Sequence, residues 1–130
     1  DFIPPAEVYH SLAGIRGAQW VDLFREIERV SGYEYLILDL SDSLLDLWEV
    51  LQNCDHIYTI VREDALAEAK IEQYERALED MQYGKITEKT KKWNLPIFRQ
   101  LPLHFGELTY GELAGYIKKE IFPDLFGHGL

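Results

Sequence analysis

The chain has 130 residues, 47% of them apolar and 13% aromatic, which excludes a disordered segment and fits one domain of common size. Its 23 acidic residues outnumber 13 basic ones, for a formal net charge of -10. That balance repels phosphate backbones and anionic lipid surfaces, so direct nucleic-acid binding is not expected. No apolar run approaches the roughly 18 residues of a membrane span, so membrane insertion is not expected either.

Residues 1–16 open Asp1-Phe2-Ile3-Pro4-Pro5 and read as an irregular lead-in continuing from an earlier segment. From Ala18 to Val30, the residues Trp20, Leu23, Phe24, Ile27 and Val30 recur at helical spacing and predict one apolar helix face. Gly32 supplies the left-handed residue that ends such a helix. Tyr33 to Leu40 follows, with Leu36-Ile37-Leu38 apolar on both faces, as in a strand covered on both sides. Ser43 and Asp46 have capping-box spacing for a helix over about 44–53, with Leu44, Leu47, Trp48 and Leu51 on one side.

Ile57-Tyr58-Thr59-Ile60-Val61 predicts a second strand. Asp64 is placed to cap the longest helix, about 65–82, whose Ala67, Ile71, Tyr74, Leu78 and Met81 form a core stripe. Residues 84–93 predict a short polar helix, and 95–101 a third strand with Pro96 at its start. Thr109 and Glu112 have capping-box spacing for a last helix lined by Leu113, Ala114, Ile117 and Ile121 and stopped by Pro123. Alternating strands and helices imply parallel strands joined by crossovers. The fold class is therefore α/β: a three-layer, mostly parallel sheet flanked by helices, in a single domain over 1–130. With only about three strands, the sheet is incomplete for a doubly wound fold.

Cys54 is the single cysteine, so an internal disulfide is excluded. It reads as a small buried hydrophobe, and a free thiol suits a reducing, cytoplasmic setting. His10, His56, His104 and His128 have no metal-ligand spacing. Lys89, Lys91 and Lys92 interrupt the acidic background, either as a solvated helix face or as a small anion or partner site. Asp39 falls near the carboxyl end of the apolar run, where open α/β sheets bind ligands. It either orients a magnesium ion beside phosphates or begins the turn into the next helix. Asp42 and Ser43 are accounted for by capping.

Gly32-Tyr33-Glu34-Tyr35-Leu36-Ile37-Leu38-Asp39 resembles the MinD/ParA-type ATPase segment that reads Tyr-Asp-Tyr, aliphatic run, Asp and ends in the Walker B aspartate. Leu51 to Val61 resembles the helix end, Ala-Asp and strand that follow, and Leu95 to Pro102 the late strand with its proline loop. The resemblance is strongest over 32–81 and is closest to the CpaE-like branch. It implies a P-loop, Rossmann-like ATPase domain of which this chain is the C-terminal half. Asp39 would hold magnesium through water, Ser41 and Asp42 would form a switch II-like loop, and ATP and magnesium would bind only with the missing N-terminal half. The partners it implies are that half, another protein, or a second copy in a homodimer.

The chain departs from the family in three places. It contains no phosphate-binding loop. Leu40-Ser41-Asp42 replaces the proline and glycine after the strand aspartate. No strand ending in an adenine-reading asparagine is legible after the long helix, where Met81-Gln82-Tyr83-Gly84 leads into a polar segment. These departures favour the alternative, a non-catalytic regulatory or protein-interaction module. A receiver-like phosphoacceptor domain is less well matched, because Arg99-Gln100-Leu101-Pro102 offers no lysine at the late strand's end.

Overall fold

A computed structural model of the chain describes residues 3, 12–61, 65–81, 83–100 and 102–127. The chain is mixed helix and strand and forms two compact units, Asp1–Asn94 and Leu95–Leu130.

In the first unit, helix α1 (Gly17–Ser31) ends on Gly32, whose φ of 67° is the left-handed cap the sequence predicts. Helix α2 (Leu47–Gln52) is shorter than expected, because Asp46 takes a left-handed conformation before it (φ 56°). The two helices lie in close contact at Gly17. A Cβ there would sit 2.8 Å from the Asp46 carbonyl oxygen, so only glycine fits. The Gly17 N–H donates to Asp46 Oδ2 at 3.4 Å, and Arg16 pairs with the same oxygen at 3.7 Å. Asp46 thus places negative charge at the amino end of α1, where the helix dipole favours it.

Strand β1 (Ile57–Val61) is followed by α3 (Ala65–Asp80), α4 (Gly84–Lys89) and strand β2 (Thr90–Asn94). β1 and β2 are parallel, with Ile57 opposite Thr90 and Val61 opposite Asn94. Leu51, Leu78 and Ile86 form the core cluster, and Leu40, Leu47, Trp48, Ile57, Tyr74 and Tyr83 pack against it. The Trp48 ring lies 5.2 Å from that of Tyr74 and 6.4 Å from that of Tyr83.

The second unit holds a 3₁₀ helix (Phe105–Thr109), α5 (Glu112–Glu120) and α6 (Phe122–Phe126). Pro123 does not end the helical region. It occupies the first turn of α6, where its missing N–H has no intrahelical partner to lose. Phe98 packs edge-on against Tyr116 at 5.9 Å.

The sequence expectation fails at further places. Tyr33–Leu40 is not a strand: residues 35–41 are irregular and Ile37 is 86% exposed. A run apolar on both faces needs neighbouring strands and two covering layers, and the sheet of the described residues has two strands, neither of them this run. Residues 84–93 are not one helix. Thr90 turns extended, its hydroxyl donating to the Ile86 carbonyl at 2.7 Å, and β2 begins there. Residues 95–100 are irregular with Ile97 fully exposed, and Leu101 lies outside the described residues, as do Asp64 and Gln82. The Thr109–Glu112 capping box does not form: Thr109 Oγ1 donates to Gly106 O, and Glu112 accepts from the Arg99 N–H. Finally, α1 buries Gly17 and Val21, while Leu23 and Val30 stay exposed.

Burial separates Ile86 from Ile37. Ile86→Ala removes a fully buried side chain and is expected to cost about 2–5 kcal/mol in urea unfolding. Ile37→Ala is expected to stay within about 0.5 kcal/mol. Equal costs would place Ile37 in the core and contradict the irregular run.

Candidate functional site

The three residues singled out by the Walker B-like pattern lie together between α1 and α2. Asp39 and Asp42 are exposed, and Asp39 belongs to the irregular run instead of ending a strand. The Ser41 hydroxyl meets that of Ser43 at 2.6 Å, and the Ser41 carbonyl accepts the Leu44 N–H at 3.3 Å, forming the turn that leads to Asp46. The described residues contain no group of three His, Cys, Asp or Glu side chains placed to share a metal ion. Exposed carboxylates on an irregular segment do not by themselves build a magnesium site, which needs near-octahedral geometry.

In parallel α/β sheets, ligands bind beyond the carboxyl ends of the strands. Here those ends are Val61 and Asn94, which are opposite each other. Asn94 was not legible as a strand end, because Lys91 and Lys92 gave its segment the polarity of a helix face. Thr90–Asn94 holds one apolar residue, Trp93, so no apolar–polar alternation marked the strand.

The lysine cluster is divided among several roles. Lys89 Nζ donates to the carbonyls of Gln52 at 2.9 Å and Cys54 at 3.0 Å, placing a cation at the carboxyl end of α2. Lys92 pairs with Glu75 of α3 at 2.6 Å. Lys91 is exposed and lies opposite Tyr58, on the other face of the sheet from Lys92. The cluster is therefore neither a helix face nor a single anion site.

The two faces of the sheet differ. On one, Thr59, Thr90 and Lys92 meet Ile71, Tyr74 and Leu78 around a cavity of about 10 Å³. That is the volume of one water at most. On the other, Trp93 stacks on Tyr58 at 4.1 Å, His56 lies 6.4 Å beyond Tyr58, and Ile60 is 63% exposed.

Cys54 is half-buried, and its thiol contacts the Val50 carbonyl at 3.5 Å. Burial pushes its pKa up; Lys89 lowers it in part, and Asp55 raises it. Only the thiolate attacks an alkylating agent. Alkylation of Cys54 is therefore expected to be slow at neutral pH and to keep accelerating beyond pH 9; levelling off below pH 8 would contradict the burial. No protein-family model matches this chain, and neither a curated protein nor a solved structure matches it.

Proposed function

We propose that this chain is a non-catalytic protein-interaction module, joining a partner polypeptide through apolar surface that its own fold leaves open. The observation that carries this reading is Leu36-Ile37-Leu38, composed like a buried strand yet with Ile37 86% exposed. Contiguous exposed apolar surface marks interaction sites in soluble domains. An extended segment of this composition suits addition to a strand of a partner's sheet, where main-chain hydrogen bonds give affinity and alternate side chains give specificity.

A second reading is favoured by β2. This strand follows the long helix, runs parallel to β1 and ends in asparagine, a feature whose absence had been a departure from the MinD/ParA-type pattern. In that reading the chain is the C-terminal part of an ATPase domain. A phosphate-binding loop comes from another segment, ATP and magnesium bind only in its presence, and Asp39 meets the magnesium through water.

Two measurements test the interaction-module reading. A purified partner that binds the chain is expected to lose affinity for Ile37→Asp, at least about tenfold for a central contact, while the variant keeps its unfolding midpoint. A phosphate-release assay with ATP and magnesium is expected to give no turnover by the chain alone. Turnover abolished by Asp39→Asn would overturn the interaction-module reading.

A further inference from the structure

The cavity of about 10 Å³ in the first unit is lined from four elements: Thr59 of β1, Thr90 and Lys92 of β2, Tyr74 and Glu75 of α3, and Thr87 of α4. Thr59 stands opposite Lys92 in the ladder, and Thr90 comes two residues before Lys92, so all three share one sheet face. The Thr87 hydroxyl oxygen is buried and meets no hydrogen-bond partner among the described residues. A buried hydroxyl left in that condition costs free energy, and a buried polar atom without a protein partner ordinarily meets ordered water. The Thr90 hydroxyl is already committed as a donor, to the Ile86 carbonyl at 2.7 Å, which leaves its lone pairs to accept.

We infer that this cavity is the binding site of a single water molecule, held by the Thr87 hydroxyl together with the threonine hydroxyls of the two strands. The volume admits one water and nothing larger. A held water needs about two to four polar partners, and three hydroxyls line the space. Thr90 accepts from the water, while Thr59 and Thr87 can each donate or accept. Charge selects a neutral occupant over a cation, because the Glu75 carboxylate is already paired with Lys92 Nζ at 2.6 Å. The water would then be a fixed part of the crossover. It links α4 to both strands of the ladder, where Thr87 reaches no partner directly. This role is independent of partner binding through Ile37.

The test compares the full chain with Thr87→Val, which keeps the branched shape and removes the hydroxyl, and with Thr87→Ser, which keeps the hydroxyl. Magnetic relaxation dispersion of the water oxygen counts waters held inside a protein in solution, and urea unfolding reports stability. The parent and Thr87→Ser are each expected to hold one more long-lived water than Thr87→Val. Thr87→Val is also expected to unfold at a lower urea concentration than the parent, because the strand hydroxyls lose the water they share. In a dry cavity the same change would remove an uncompensated polar atom and raise the midpoint. Equal water counts in the parent and Thr87→Val would overturn the inference, whichever way the midpoint moves. A crystal structure of the parent that resolves ordered solvent tests the site without any variant. Water within hydrogen-bond distance of Thr87 Oγ1 is the expected result, and an empty cavity or an ion in that place would overturn it.

Discussion

Parallel pairing of β1 and β2 is the constraint on which the first unit depends. A tight turn cannot join parallel strands, so the chain must cross over between Val61 and Thr90. The crossover is α3 and α4, and it brings Leu78 and Ile86 onto Leu51 of α2. Lys89 follows Ile86 by three residues and immediately precedes β2. From there its ammonium group reaches the carbonyls at the end of α2. The segment that closes the ladder therefore also fastens α2 to the crossover. Among the described residues the largest fully buried side chains are Leu78, Ile86 and Val50, while large apolar residues such as Ile37, Ile60 and Ile97 stay exposed.

A second joint sets α1 against α2. Gly17 allows backbone contact there, and Asp46 meets both the Gly17 N–H and Arg16. Farther along, Arg25 reaches the Asn53 side chain at 3.2 Å. These contacts hold α1 by one side and leave Leu23 and Val30 on the other. The exposure of Leu23 and Val30 thus follows from how that joint is built.

Local pattern revealed helices more readily than pairing. The apolar spacing and Gly32 placed α1 within about a residue at each end, and β-branched residues placed β1. Leu78 and Tyr74 were legible as core from their spacing, whereas Met81, on the same stripe, lies past the last turn of α3 and is half-exposed. Leu36-Ile37-Leu38 misled because apolarity records what a segment can bury and does not record whether a neighbouring strand is present. Thr90–Asn94 misled in the opposite sense. Its lysines resembled a solvated helix face, yet a parallel neighbour holds the segment extended. Asp39, Ser41 and Asp42 were singled out as residues at a strand end, and the structure forms no strand there. Asp46 and Lys89 were not legible as tethers, because each acts on a residue about thirty or more positions away.

Amide hydrogen exchange across the full chain tests this account most directly, since slow exchange reports hydrogen bonds closed within stable structure. Amides of α3 and those that close the β1–β2 ladder should be the slowest. Amides of residues 35–40 should exchange nearly as fast as in an unfolded peptide. Protection of residues 36–38 equal to that of β1 in the chain alone would mean that the apolar run is a third strand, and the account of an open, partner-seeking surface would be wrong.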